Sequence, residues 1–260
     1  MASPGPVGWP HALVCLLLVA PLCGAQDHPL LQVEAATTLE RGVLRAETGV
    51  ALVEDLSLPL TGLKVRQVRL FDTGFSYGLA DNVEIELRTP IILLDTSRHV
   101  WDSGDVDLSF KVRLPRALGA SALAFRAGMI LPETSDTYGL GNDQISVRAD
   151  FLATWLRTRY QVHLNMGAII QDDPVTQRSQ NDLLRYGVAI IYNGRISPMI
   201  ELSGRAGPGG PGTDDIHNLL AGLRVRRGRM CVDAGLSAGL NRDNHRYGAI
   251  IGVTWEGRVR

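Results

Sequence analysis

The sequence has little of what usually holds a secreted chain together. It has three cysteines, Cys15, Cys23 and Cys231. The first two lie in a segment read below as removable, so the mature chain keeps one thiol and no internal disulfide. After residue 25 no apolar run reaches the roughly 18 residues of a membrane-spanning helix. Charge of either sign is not in excess: 26 Lys and Arg stand against 27 Asp and Glu, and no long basic run occurs. That balance offers no electrostatic footprint for nucleic acid. Aromatic residues make up only 6%. Hydrophobic residues nevertheless make up 45%, too many for a disordered chain.

The first 25 residues contain no Lys, Arg, Asp or Glu. Ala12–Leu22 is a short apolar core, and Cys23, Gly24 and Ala25 are small. This pattern predicts a signal peptide over 1–25, cleaved between Ala25 and Gln26. Acylation of Cys23 is the rival reading, for which Leu22 is a poor preceding residue. Residues 26–41 are then a short N-terminal segment on the periplasmic side, and 42–260 form one domain.

That domain carries one repeated pattern. In Asp105–Leu114, Val106, Leu108, Phe110, Val112 and Leu114 take one face and polar residues the other. Period two marks a strand with one dry face. The same alternation runs through Val83–Leu87, Ile145–Trp155, Tyr160–Ile170 and Tyr247–Trp255. Asn193-Gly194 separates two such runs and signals a tight hairpin. In all, about twelve strands of roughly 9–14 residues are expected, over 42–53, 64–77, 82–93, 105–114, 120–132, 143–156, 159–171, 183–192, 195–206, 216–226, 229–240 and 246–256.

The junctions alternate in length. Gly78–Asp81, Pro115–Gly119, Arg157-Thr158, Asn193-Gly194 and Arg227-Gly228 are short. Leu94–Gly104, Glu133–Asn142, Asp172–Asp182, Gly207–Asp215 and Asn241–His245 are longer and polar. Transmembrane barrels keep short turns on the periplasmic side and longer loops outside the cell. A sheet in lipid must also close, because its edge groups find no water to bond. The expected fold is all-β: a closed antiparallel transmembrane β-barrel of about twelve strands in a bacterial outer membrane.

Trp155, Tyr160, Tyr186, Tyr192 and Trp255 are placed near the short-turn rim, and Tyr77, Trp101 and Tyr138 at the opposite rim. The chain ends with a charged tail after Trp255, whereas barrels usually end on an aromatic residue read by the assembly machinery. Pro198 lies inside a strand, so it is placed near the rim, where a missing ladder bond costs least.

The polar strand faces line the interior. From the first half of the domain they bring Arg45, Glu47, Glu84, Glu86, Arg88, Asp107, Lys111, Arg113 and Arg126. The second half adds Arg148, Asp150, His163, Arg185, Glu201, Arg205 and Arg224. Opposed charges across a narrow lumen make a selectivity constriction, or else a paired network that fills the barrel. His163 has no serine near it on its own strand, so it is read as a lumen histidine and no catalytic set is assigned. Cys231 is read as packing, and acidic loop pairs such as Asp172-Asp173 match no calcium-loop spacing. No metal or cofactor is expected.

Three stretches resemble one family. "FDTGFSYGLADNVEIELRTPI" (Phe71–Ile91), "RYGVAIIYNGRISPMIELSG" (Arg185–Gly204) and "RYGAIIGVTWEG" (Arg246–Gly257) are similar to the MetA-pathway phenol-degradation family of bacterial outer-membrane barrels, often called transporters. The resemblance implies an outer-membrane location and passage of small solutes, aromatic ones included. It implies no catalytic residues. Expected partners are membrane lipid and lipopolysaccharide, the assembly machinery and a small solute. A barrel enzyme acting on lipid or lipopolysaccharide, and a plugged structural or adhesive barrel, are the alternatives.

Overall fold

The computed structural model describes residues 32–57, 64–95, 100–115, 119–133, 144–172, 180–207, 215–241 and 244–259. The signal segment 1–25 and Tyr138 lie outside them. The described elements are all strands, in one antiparallel sheet: β1 (Val43–Ser57), β2 (Lys64–Ala80), β3 (Val83–Asp95), β4 (Val100–Ser103), β5 (Val106–Arg113), β6 (Ala122–Leu131), β7 (Ser146–Leu156), β8 (Tyr160–Asp172), β9 (Gln180–Tyr192), β10 (Ile196–Ala206), β11 (Ile216–Arg227), β12 (Met230–Gly239) and β13 (Tyr247–Arg258).

Each strand pairs with its sequence neighbour, and β1 pairs with β13 from Val43↔Arg258 to Glu54↔Tyr247. The sheet is therefore a closed barrel of twelve staves, because β4 and β5 share one. Pro90 explains that broken stave. It lacks a ladder N–H, and β3 meets β5 through Arg88↔Asp107 but β4 from Ile91↔Ser103. Between them the Gly104 N–H donates to the Pro90 carbonyl at 2.7 Å. A Cβ on Gly104 would strike the Pro90 ring. Sequence patterning read this stretch as loop because four residues are too few to show a period.

Two bulges also escape a period-two reading. Asp55 and Phe71 have φ of 56° and 48°, and both sit at register shifts in the β1–β2 and β2–β3 ladders. Each inserts one residue and so exchanges the inner and outer faces. Before Phe71 the inward positions of β2 include Val65; after it they are Asp72, Gly74, Ser76 and Gly78.

The outer face is apolar and uncovered. Phe151 is 64% exposed and Leu236 68%, and Phe75, Leu164, Met166, Ile190, Ile200, Leu223 and Ile251 are exposed with them. Soluble monomers rarely expose apolar patches beyond a few hundred Å². A band of this kind running round a closed barrel is a lipid face.

The short-turn end carries Trp155, Tyr160, Tyr192 and Trp255 beside their turns. Two placements change. Tyr77 pairs with Leu44 and Ile85, which puts it at the short-turn end rather than the opposite rim. Tyr186 is mid-strand, and its hydroxyl bonds His217 Nδ1 on the outer face. Pro198 faces outward near the Asn193-Gly194 turn. It pairs with Leu223, while the β9–β10 ladder begins one residue later at Met199↔Ile191.

Candidate functional site

The interior is built from the polar faces of the strands, and most of its charges stand in pairs. Lys111 Nζ lies 3.5 Å from Glu84, and Arg88 bonds Glu47 and, at 3.2 Å, Glu86. Arg126 lies 3.5 Å from Glu86, Arg148 2.7 Å from Asp107, and Arg185 3.1 Å from Asp150. Arg45 reaches Glu256 at 3.5 Å, and Arg224 holds Asp233 through two bonds at 2.8 and 3.3 Å. Arg69 and Asp72 are paired as well, which the Phe71 bulge permits by turning both inward. Arg205 is half-buried toward the long-loop end. Arg113 departs from the group: it is exposed, and its guanidinium donates to the Asp81 carbonyl at the short-turn rim, 3.1 Å away.

The N-terminal segment occupies this interior. Residues 26–41 read as a short periplasmic segment, yet Gln32–Leu39 run inside the barrel. The Gln32 and Val33 N–H groups donate to the two Glu201 oxygens at 3.2 and 3.0 Å. Asn165 accepts from the Glu34 N–H at 2.5 Å and donates to the Glu34 carbonyl at 2.9 Å, as a neighbouring strand would. The Ala36 N–H bonds Thr154 Oγ1 and the Leu39 N–H bonds Glu84, each at 2.8 Å. The Glu34 carboxylate pairs with Arg126.

A segment without ladder partners must satisfy its backbone groups some other way. Here inward-facing side chains of β3, β7, β8 and β10 provide the acceptors. Apolar contacts fill the spaces between. Val33 packs with Ala189, Ile191, Met199 and Leu220, and Ala36 with Ala122, Ala124 and Leu152. Gly187 permits the first contact, since a Cβ there would strike Val33 Cγ2. These apolar residues on otherwise polar strand faces were the sequence signal for a plug: an inward Leu or Ile in a wet lumen needs a cover.

The segment divides the lumen. Toward the short turns, Thr154, His163, Arg224, Asp233 and Thr254 are all at most 2% exposed. A water-wide passage beside them would leave them accessible, so this half is closed. His163 Nδ1 lies 3.0 Å from Thr154 Oγ1, the same oxygen that receives the Ala36 N–H, so His163 supports the plug. Cys231 is buried and free of disulfides.

Toward the long loops lies a cavity of about 350 Å³. Arg69, Arg88, Arg126, Arg148 and Arg185 line one wall, with Asp107, Glu34 and Glu201 among them. Ala51, Val53, Leu56, Ile216, Leu220 and Ile250 line the other. Each of these arginines is paired with a carboxylate, so the first wall carries compensated charge; with the aliphatic wall opposite, the space suits small amphipathic molecules. Among the described residues no group of three or more His, Cys, Asp or Glu is arranged to hold a metal.

No family model matches the chain. No curated protein matches it either. Solved structures do. The COG4313 outer membrane channel from Pseudomonas putida F1 is 14% identical, with a TM-score of 0.60 over 85% of this chain and 98% of its own. The NanC porin is 11% identical, with a TM-score of 0.54 over 82% of this chain and 98% of its own. At these identities the likeness is one of fold, and the fold shared is that of outer-membrane β-barrels.

Proposed function

We propose that the protein is a bacterial outer-membrane channel for small solutes, closed by its own residues 32–39. The observation that carries this reading is the plug. Its bonds are made by side chains rather than by ladder partners, and it ends against a cavity lined by five arginines. Each bond is worth about 0.5–1.5 kcal/mol net, more where a carboxylate accepts, so a few together hold the segment without making it permanent. The short turns then face the periplasm and the long loops the exterior. Membrane lipid, lipopolysaccharide and the assembly machinery are its partners, and no cofactor takes part.

The guanidinium donors of the charged wall can bond an acid group in exchange for their own carboxylates, and the aliphatic wall accepts an apolar ring or chain. Small aromatic acids carry both features. The likeness of fold to an outer membrane channel and to a porin supports the channel reading, whatever the solute. Flux into proteoliposomes tests it with benzenesulfonate, whose permanent charge keeps it from crossing lipid unaided. Vesicles holding the full chain should fill faster than protein-free vesicles, and those holding a chain that begins at Leu39 faster still. If neither preparation exceeds the protein-free control, the channel reading is wrong.

A further inference from the structure

One serine in the cavity takes no part in the plug or the ion pairs. Ser237 on β12 lines the cavity together with Asn244 and His245, from the loop before β13. Ser237 Oγ lies 3.1 Å from His245 Nε2, and His245 Nδ1 lies 2.8 Å from Asn244 Oδ1. Asn244 fixes the direction of these bonds. Its Nδ2 donates to the His217 carbonyl at 2.9 Å and to Asn218 Oδ1, so its Oδ1 is left to accept. That oxygen also receives the His245 backbone N–H at 2.7 Å. The imidazole proton therefore sits on Nδ1, and the Nε2 lone pair faces the serine hydroxyl. Burial holds the His245 pKa below its usual value, which keeps the ring an unprotonated base at neutral pH.

The loop approaches closely enough for this because position 239 is glycine. A Cβ there would strike the His245 carbonyl and the Asn244 side chain. A hydroxyl, an imidazole acceptor beyond it and a third group orienting the ring together constitute an activated nucleophile.

We propose that Ser237, His245 and Asn244 form a serine esterase site opening on the lumen cavity, for carboxylic esters with short aliphatic acyl groups. The acyl preference follows from the neighbours. Leu220 pairs across from Ser237 on β11, and Ile250 lines the same cavity. Gly248, the partner on β13, lets Ser237 Oγ lie where a Cβ at 248 would strike it.

In the reaction Ser237 Oγ bonds to the ester carbonyl carbon while its proton passes to His245 Nε2. The bond from that carbon to the alcohol oxygen breaks, and the alcohol leaves with the proton. A water then gives its proton to Nε2 and attacks the acyl-serine. The carboxylic acid departs, and Oγ regains the proton. Ester and water become acid and alcohol, and no other reactant is needed. Asn244 is a positioning residue, acting through the ring of His245. This chemistry stands apart from solute passage and requires no opening of the plug.

The test uses the full chain folded in detergent, with its shift in gel mobility on boiling as proof of folding. A fluorophosphonate probe should form an adduct that mass spectrometry maps to Ser237. Hydrolysis of p-nitrophenyl butyrate should fall at least about a hundredfold in Ser237→Ala and in His245→Gln. Asn244→Ala should lower kcat with little change in KM. Ser237→Ala removes one oxygen from a half-buried site, so it folds even if the histidine variant does not. A folded wild-type chain with no adduct on Ser237, or hydrolysis unchanged in Ser237→Ala, overturns the proposal and leaves the three residues as a structural network.

Discussion

A chain beginning at Leu39 should conduct ions several-fold better than the full chain in planar bilayers. The removed residues take with them the N–H groups that occupy Glu201, Asn165 and Thr154, and the Val33 and Ala36 side chains that seal two apolar clusters. They also remove the Glu34 carboxylate from Arg126, which keeps Glu86 at 3.5 Å. The barrel itself should survive, because every ladder lies between strands that start at Val43 or later. The truncated chain should therefore still shift in mobility on boiling. Equal conductance in the two folded chains would mean that residues 32–38 do not occlude the lumen.

Arg224→Ala should lower the unfolding free energy by about 3–5 kcal/mol, measured by denaturant titration in lipid vesicles. Arg224 and Asp233 sit opposite each other on β11 and β12, with side chains 2% and 0% exposed, joined through Nε and Nη2. Truncating the arginine takes two charge-assisted bonds from a carboxylate with no access to water, and that desolvation is the cost. The double change Arg224→Met with Asp233→Leu should recover most of the loss, since replacing both ions removes the need to solvate either. A loss below about 1 kcal/mol in the single variant would place the pair in contact with water and contradict the closed short-turn half.

The barrel was legible because its signal is collective. Alternation in Asp105–Leu114 alone fits many sheets, but the same period with short and long junctions in turn fits a barrel. Inward placement of Glu84, Glu86, Arg126, Arg148 and Arg224 followed from parity alone. Parity failed where geometry broke it. The bulges at Asp55 and Phe71 exchange faces without any mark in composition. Arg113 has the right parity but sits so near the turn that its long side chain turns to the rim instead.

The plug was not legible from residues 32–39. "QVEAATTL" has no period, and its hydrogen-bond partners lie between 43 and 169 residues away. The strands held the clue, in apolar Leu152, Ala189, Ile191, Met199 and Leu220 on faces that otherwise carry charge. The Ser237, His245 and Asn244 set was hidden for another reason. His163 has no serine near it on its own strand, whereas the hydroxyl that meets a ring here belongs to the strand before the His245 loop.

One engineered disulfide tests most directly whether the N-terminal segment lies inside the transmembrane barrel. Val33 Cγ2 occupies the space a Cβ on Gly187 would take, so cysteines at the two positions fall within bonding reach. In a chain carrying Val33→Cys and Gly187→Cys, with Cys231→Ser to remove the remaining described thiol, the folded barrel should form the cross-link on mild oxidation and fail to form it after boiling. Its bilayer conductance should rise when the bond is reduced. Thiols that stay free in the folded, oxidised chain would put the segment outside the lumen and contradict the account.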